Sequence, residues 1–315
     1  MGRFIARRLL AMVLVLLAIS ILTFLIFNVI PNGDPARRLA GRNPTPAQLS
    51  AIRSQWGFDK PVPVQYLKTM EKIFTGDLVS YANQINVIDE IKGGLPRTFS
   101  LAIGAGIMWM FFAIVLGLYT AIKAGKFADS ALTVLALVGI STPVFLVGAL
   151  MNYYLGFKAG IFPNGGYVDL TKNPLQWFYH LIMPWTALSI LFIGFYSRVL
   201  RSNILDTIND DHVRTARAKG IPERQIMVRH VLRNSLIPIV TLWGLDFAAV
   251  IGGGAILTET VFDLQGVGQF AADSIKTLDV PPVLAITMLG AFFIVVLNTF
   301  VDIVYAALDP RIRLQ

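Results

Sequence analysis

The chain has 315 residues, 55% of them hydrophobic and 15% charged, with no cysteine. An apolar content above the roughly 45–50% of an average soluble domain points to a membrane protein, and the missing cysteines exclude a disulfide framework, a thiol nucleophile and a cysteine-based metal site. The formal net charge of +8 is the footprint expected of a nucleic-acid binder, yet no basic and aromatic interleaving of such a module is present, and membrane topology accounts for the excess.

A membrane-crossing helix needs about 20 predominantly apolar residues, and a charge at its centre costs about 2.5 kcal/mol or more. The first stretch that qualifies runs from Leu9 to Ile30, after Arg3, Arg7 and Arg8. It exceeds the ~7–15 residues of a signal-peptide core and lacks a small-residue cleavage pattern, so it reads as a retained span. A Pro31-Asn-Gly-Asp-Pro35 turn ends it. Within the following polar segment, Thr45 and Gln48 stand in capping-box positions before a helix, and a second helix is predicted over Val64 to Phe74. This is a small helical cap with little core of its own.

Thr98 to Ile122 and Ser130 to Phe157 are free of Asp, Glu, Lys and Arg, and the short link from Lys123 to Asp129 makes them antiparallel neighbours. Gly139-Ile-Ser-Thr-Pro143 predicts a proline kink in the third span. Leu181 to Ser197 is the fourth charge-free run, Ser235 to Thr258 the fifth with Asp246 alone, and Val280 to Val301 the sixth. With the N-terminus cytoplasmic, Lys123, Lys126, the basic 198–235 stretch, Arg311 and Arg313 fall inside, whereas the short outer loops receive only Lys158, Lys172 and Lys276. That bias predicts six spans with both termini inside.

Between the fourth and fifth spans lies a basic, glycine-punctuated segment, Asp211 to Pro238. It reads as two short amphipathic helices at the membrane face, joined at Gly220-Ile221-Pro222. Ala216 and Gly220, four apart, make a small face that Val213 continues. Gly220 suits a helix end, Pro222 a helix start, and Glu223 the positive end of the next helix. Val228, Val231, Leu232 and Ser235 then follow an inner stripe, with Arg229 and Arg233 toward headgroups or water. Two readings stand on physics alone: a docking surface for a soluble partner, or a surface loop obeying the charge bias. Asp246 lies roughly 16 Å along the helix past Ser235, near mid-bilayer, where an ionisable side chain is either an interior hydrogen-bonded carboxylate or a candidate for the solute pathway. Gly252-Gly-Gly254 lets a neighbouring helix approach or the helix loosen. Asp302, nearer the inner face, reads as structural.

No phosphate-cradling Walker motif is present, and Gly266 to Ala271 matches the letters of a dinucleotide fingerprint in an outer loop without its strand. His180, His212 and His230 are scattered, so neither a metal cluster nor converging catalytic groups are evident, and an enzyme is not expected. A stand-alone secondary transporter would show repeats and several intramembrane charges; one central charge and no evident repeat argue against it.

His212 to Gly220, His-Val-Arg-Thr-Ala-Arg-Ala-Lys-Gly, resembles the cytoplasmic EAA loop of ABC importer permeases in the variant found in dipeptide, oligopeptide and nickel permeases. The likeness covers essentially the whole chain. Its markers run from Gly33-Asp34-Pro35 through Trp56 to Pro61, Val64 to Leu67, Gly76 to Leu78 and Leu95 to Thr98. They continue with Arg233 to Pro238, Glu259 to Phe262 and Ala307 to Arg313. Arg214 stands where the first Glu of the general motif would be and Arg233 where a later Pro would be, so an acidic contact to the ATPase is not assumed.

The resemblance implies an all-α, polytopic permease of type I ABC importer fold with six transmembrane helices and a small extracytoplasmic helical segment. The corresponding organisation is 1–30 for the cytoplasmic N-terminus and first span, 31–97 outside, 98–308 for the transmembrane domain with the loop at 206–235, and 309–315 as a cytoplasmic tail. It implies half of a pathway for dipeptides or oligopeptides, with nickel chelates, glutathione or oligosaccharides as alternatives, in a bacterial or archaeal plasma membrane. The implied partners are a second permease, two cytoplasmic ATPases and an extracytoplasmic solute-binding protein. ATP and magnesium would sit on the ATPases, and no cofactor or metal on this chain. The residues implied at the ATPase contact are Asp211, Arg214, Thr215, Ala216, Ala218, Lys219, Gly220 and Ile221, while Asp246 is the pathway candidate.

Overall fold

The computed structural model describes residues 2–29, 36–37 and 44–308, with 2–5, 28–29, 55–56 and 302–308 by backbone only. The turn expected at Pro31 to Pro35, the 309–315 tail and the side chain of Asp302 lie outside the described residues. Among those described, helices dominate and no strand forms; Val79 and Asn86 make an isolated antiparallel bridge. Five helices there are long and apolar enough to cross a membrane, or six if one bent pair is a single span.

In chain order these are α1 (Gly2–Phe24), α2 (Pro46–Trp56), α3 (Val62–Thr75), α4 (Val87–Ile122), α5 (Phe127–Ser141), α6 (Val144–Met151), α7 (Pro174–Thr207), α8 (Asp211–Ala218), α9 (Arg233–Ala249), α10 (Ile256–Val261), α11 (Val267–Lys276) and α12 (Val280–Leu308). Short π-helical turns continue several of them, among them Ile226–Leu232 and Val250–Gly254. The capping box forms as read, with Gln48 N donating to Thr45 Oγ1 and Thr45 N to Gln48 Oε1. The third span departs from expectation. Pro143 does more than kink it: α5 and the helical stretch after Pro143 meet at 97°. Proline has no N–H to give and drives the preceding residue out of the helical region, and Thr142 is accordingly extended at φ −92° and ψ 125°.

The chain divides into two compact units. The first comprises Met1–Thr98, Ile251–Ile256 and Gln265–Gln315. Here the polar segment, expected as a small helical cap with little core of its own, shares its core with α1 and α12. Phe24, Met70 and Leu284 are buried together, with Tyr66, Ile73 and Met288 packed on them. Tyr66 stands edge-on to Phe24 at 5.5 Å and its hydroxyl is 2.7 Å from Ser20 Oγ. Gln65 Nε2 donates to the carbonyls of Phe58 at 3.2 Å and Lys60 at 2.8 Å, stitching the turn after α2 to α3. The buried carboxylate of Asp279 accepts from the amides of Tyr81 at 2.8 Å and Ala82 at 3.4 Å and from the Ser80 hydroxyl. Thr98 Oγ1 accepts from Val267 N at 3.0 Å, so the amide that a dinucleotide fingerprint would present is already taken. The Gly252 to Gly254 reading holds in both its forms. Gly253 leaves helical geometry at φ 136°, and a Cβ on Gly290 would lie 2.4 Å from the Gly252 carbonyl oxygen, a contact only glycine permits.

The second unit is Phe99–Val250 with Leu257–Leu264. Its centre is α7, packed against α5 and α9. Trp185 Nε1 donates to Ser100 O at 2.9 Å and Ser189 Oγ to Ala105 O at 3.1 Å, so polar atoms facing α4 are satisfied by its backbone. Gly194 allows α5 to approach closely: a Cβ there would be 2.6 Å from Ala136 O.

Candidate functional site

The helix α7 carries the chain out of the apolar region to Thr207, and a tight turn leads into α8. Val213 and Ala216 are buried against the rest of the unit. The remaining α8 face is exposed: Asp211, Arg214, Thr215 and Ala218, followed by Lys219 and Gly220, with Ile221 half-buried. Ala216 and Gly220 therefore do not share the small docking face expected of them. Ala216 turns inward to anchor α8, while Gly220 lies past the helix end in the turn. Gly220 holds φ +74° with nothing within 4 Å of where a Cβ would be. Within this chain its requirement is the left-handed backbone rather than space.

Two interactions shape the turn. Arg217 Nη2 donates to Glu223 Oε1 at 2.6 Å and its Nε to Oε2 at 3.2 Å, clasping Gly220-Ile221-Pro222 from both sides. Ile221 N donates to Ala216 O at 3.3 Å, closing the end of α8. As an exposed pair, Arg217 and Glu223 hold a shape more than they add stability.

Beyond Pro222 the reading of a second short surface helix is corrected. Glu223 starts a helix that continues into the fifth span, and the apolar stretch it belongs to reaches Gly254. The predicted stripe is corrected too. Val228 is exposed, whereas Ile226, Val231, Ser235 and Ile239 are buried. The π-helical turn Ile226–Leu232 spaces its inner residues by five rather than by three or four, which moves Ile226 onto the inner side in place of Val228.

Sequence reading missed the braces behind this loop. Ser235 Oγ lies within hydrogen-bond reach of Asn203 O at 3.2 Å, Thr207 Oγ1 at 3.2 Å and Val231 O at 3.0 Å, and Asn203 Nδ2 donates to Ser235 O at 3.4 Å. Asn234 Nδ2 is 3.0 Å from His212 Nε2. The helices entering and leaving the loop are thus tied together at its root. Deeper still, Arg201 donates through Nε and Nη2 to the two oxygens of Asp129, both at 2.7 Å, and Gly125 N donates to Asp129 at 3.0 Å. This fork joins α7 to the turn between α4 and α5. A signal was available, since Asp129 is the lone acid in a link that carries Lys123 and Lys126, but nothing in the spacing singles out Arg201 as its partner.

Asp246 is half-buried on α9 and accepts from Tyr196 OH at 2.6 Å. Tyr196 belongs to an aromatic group: Phe192 against Trp109 at 4.4 Å and against Tyr196 at 6.4 Å, and Trp109 against Trp243 at 6.4 Å. Trp243 Nε1 donates to Gly106 O at 3.0 Å, whereas the buried Trp109 Nε1 has no hydrogen-bond partner among the described residues. A carboxylate beside aromatic faces is chemistry suited to a cation. Among the described residues no group of three His, Asp or Glu side chains is placed to hold a metal.

Comparison with known proteins agrees along the length of the chain. Residues 113–314 match the family model for the binding-protein-dependent transport system inner membrane component. Residues 1–102 match the N-terminal model of the same transport-system membrane components. A probable peptide ABC transporter permease protein, y4tP, of Sinorhizobium fredii is 34% identical over 99% of this chain and 100% of its own length. A putative peptide transport system permease protein of Brucella abortus is 34% identical over 99% of each. The probable D,D-dipeptide transport system permease protein DdpB of Escherichia coli is 35% identical over 96% of this chain and 94% of its own.

Proposed function

This chain belongs to the family of binding-protein-dependent transport system inner membrane components, a multi-pass permease subunit and not an enzyme, and from that premise we propose that its cargo is a peptide and that the 211–222 loop is where an ATPase grips it. The full-length likeness to proteins named as peptide permeases supports the cargo. The observation that carries the loop's role is its build: an exposed face on α8 and a left-handed turn, clasped by Arg217 and Glu223 and tied at the root through Ser235. A lever must be rigid to transmit force, and this loop is braced to the helices on both sides.

In this reading the permease pairs with a second, homologous permease, two cytoplasmic ATPases and an extracytoplasmic solute-binding protein, with both termini on the ATPase side. Closure of the ATPases moves α8, and α7 and α9 rock as levers so that the pathway opens alternately to each side. The nucleotide chemistry stays on the partners.

Substitution at position 220 tests the grip. Because a Cβ there meets nothing in this chain, Gly220→Ala is expected to cost only the left-handed strain, on the order of 1 kcal/mol. Gly220→Trp adds bulk that nothing but a partner would feel. In the reconstituted complex, Gly220→Trp should abolish uptake and release ATP hydrolysis from its dependence on substrate, with Gly220→Ala close to wild type. Normal substrate-coupled hydrolysis and uptake in the tryptophan variant would remove this loop as the grip.

Asp246, with its aromatic neighbours, is assigned the passing ammonium of a peptide. An asparagine still accepts from Tyr196, so Asp246→Asn changes charge with little change of shape. Uptake of a peptide with a free amino terminus is expected to fall by about tenfold or more, the loss of one charge-assisted hydrogen bond, while an N-acetylated peptide is carried as before. Equal rates for the free peptide in both proteins across neutral pH would leave Asp246 as packing alone.

A further inference from the structure

One face of the second unit carries a cleft apart from the 211–222 loop and from Asp246. Along α7, Ile190, Ile193, Gly194, Ser197, Arg198 and Arg201 line it. Their spacing of three and four makes one continuous stripe on the helix. Leu132, Ala136 and Gly139 of α5 form the opposite wall, and Leu116 and Thr120 of α4 the floor. Gly194 and Gly139 bring the two helices into contact, and the groove along that seam has a cavity of about 200 Å³. A second cavity of about 450 Å³ continues from it, sharing Thr133, Arg198 and Arg201 and adding Ser202.

Three features identify an occupant. At ~1.5 Å per residue the stripe from Ile190 to Arg201 is about 16 Å long, close to half of the ~30 Å hydrocarbon layer, which is the depth of one leaflet. The walls are aliphatic, and Val134, Leu135 and Val138 beside them are exposed, as suits a surface facing lipid rather than a water-filled passage. At the end nearer the 208–222 loop the chemistry changes. Arg201 is neutralised by Asp129. Arg198 is exposed and has no hydrogen-bonding or ion-pair partner among the described residues. The hydroxyls of Thr133 and Ser202 line the same mouth. An apolar slot one leaflet deep, ending in an uncompensated arginine and two hydroxyls, is complementary to an acyl chain under a negatively charged headgroup.

We propose that this cleft is a binding site for an anionic phospholipid of the leaflet on the loop side, with its acyl chain in the groove along the α5–α7 seam and its phosphate on Arg198. Since Arg201 is already engaged, Arg198 supplies the site's net charge, and a zwitterionic lipid gains less from it because its own ammonium offsets the charge of its phosphate. The lipid wedges the helix that leads into the loop, so its presence stiffens that lever. This inference rests on the chain's being embedded in a bilayer and not on the identity of its cargo, so its outcome is separate from that of the transport experiments.

The complex with its partner subunits, reconstituted in nanodiscs of equal phosphatidylglycerol and phosphatidylcholine and then washed in mild detergent, provides the test. Retained lipid is counted by mass spectrometry. The wild-type complex should keep phosphatidylglycerol over phosphatidylcholine. Arg198→Gln should lower the retained phosphatidylglycerol about fivefold, the contribution of one basic group at a membrane surface, with a smaller fall in phosphatidylcholine, while Arg198→Lys keeps the preference. Equal retention by wild type and Arg198→Gln would overturn the site. So would Thr133→Cys that cross-links to the second permease in place of reacting with a maleimide carried on a phospholipid, because the cleft would then be a subunit interface.

Discussion

Asp129→Ala is expected to destabilise the second unit by about 2 kcal/mol, less than the ~3–5 kcal/mol of a fully buried ion pair, because the Arg201 side chain is 30% exposed. Asp129 is 5% exposed and takes three donors, two from Arg201 and one from Gly125. Without it the guanidinium is left against an apolar wall with water reaching only part of it. The sharper expectation concerns the pair. Replacing both members with apolar residues of similar size, Asp129→Leu with Arg201→Met, should recover most of the loss, because the penalty comes from the orphaned charge and not from a missing attraction. Unfolding of the detergent-solubilised permease, followed by tryptophan fluorescence, gives the three midpoints. A double variant no better than Asp129→Ala would mean that the fork itself holds α7 to the α4–α5 turn.

Gly104→Ala is expected to cost at least as much, by a different route. A Cβ at 104 would stand 2.0 Å from Trp185 Cε2. The indole cannot step aside: it is 5% exposed, its Nε1 is bound to Ser100 O at 2.9 Å, and Trp177 and Phe178 pack edge-on to it at 5.1 and 5.5 Å. Overpacking of this kind costs about 1–3 kcal/mol when neighbours relax and more when they are pinned, so about 3 kcal/mol is expected. Gly93→Ala on the same helix meets nothing within 4 Å and should be neutral or up to ~1 kcal/mol stabilising, from helix propensity alone. Gly104→Ala combined with Trp185→Phe should lose less than the sum of the two single changes, by about 1–3 kcal/mol, since the neighbours share one space. Strict additivity in the same unfolding assay would contradict the collision.

The membrane elements were legible because the bilayer imposes a rule that each residue obeys alone: a charge in hydrocarbon is costly wherever its neighbours are. Long charge-free runs therefore mark helices without knowledge of their partners. Local chemistry was legible for a similar reason. Thr45 and Gln48 close a capping box four residues long, and Gly220 takes the left-handed backbone that a helix end demands. Pro143 announced a disturbance but not its size, because a kink and a 97° bend begin with the same missing N–H and differ in what packs on either side. Val228 was assigned inward on a period of 3.6, and a single π-helical turn, invisible in composition, was enough to turn it out.

The loop at 211–222 was found in the sequence as a segment, whereas its working parts were not. Which face is free depends on Val213 and Ala216 being covered, and the π-helical turn Ile226–Leu232 packs against α8, so packing decides it. The same holds for Ser235 on Asn203, for Asp129 on Arg201 and for Asp246 under Tyr196. Each is a pair separated by tens of residues, and an aspartate and an arginine in a sequence carry no mark of which partner they will meet.

What the residues settled unaided is that this is a helical membrane protein with a glycine-punctuated basic loop, since hydrophobic run length, charge placement and backbone conformational preference are properties of short stretches; the permease family came from the resemblance of its motifs. Only the folded chain decided which loop residues point outward, that the polar segment after α1 shares its core with the first and last helices, and that two arginines one turn apart have different fates, Arg201 bound and Arg198 free. Those outcomes turn on close packing and on pairing at a distance, where the geometry of approach selects among many chemically equal candidates.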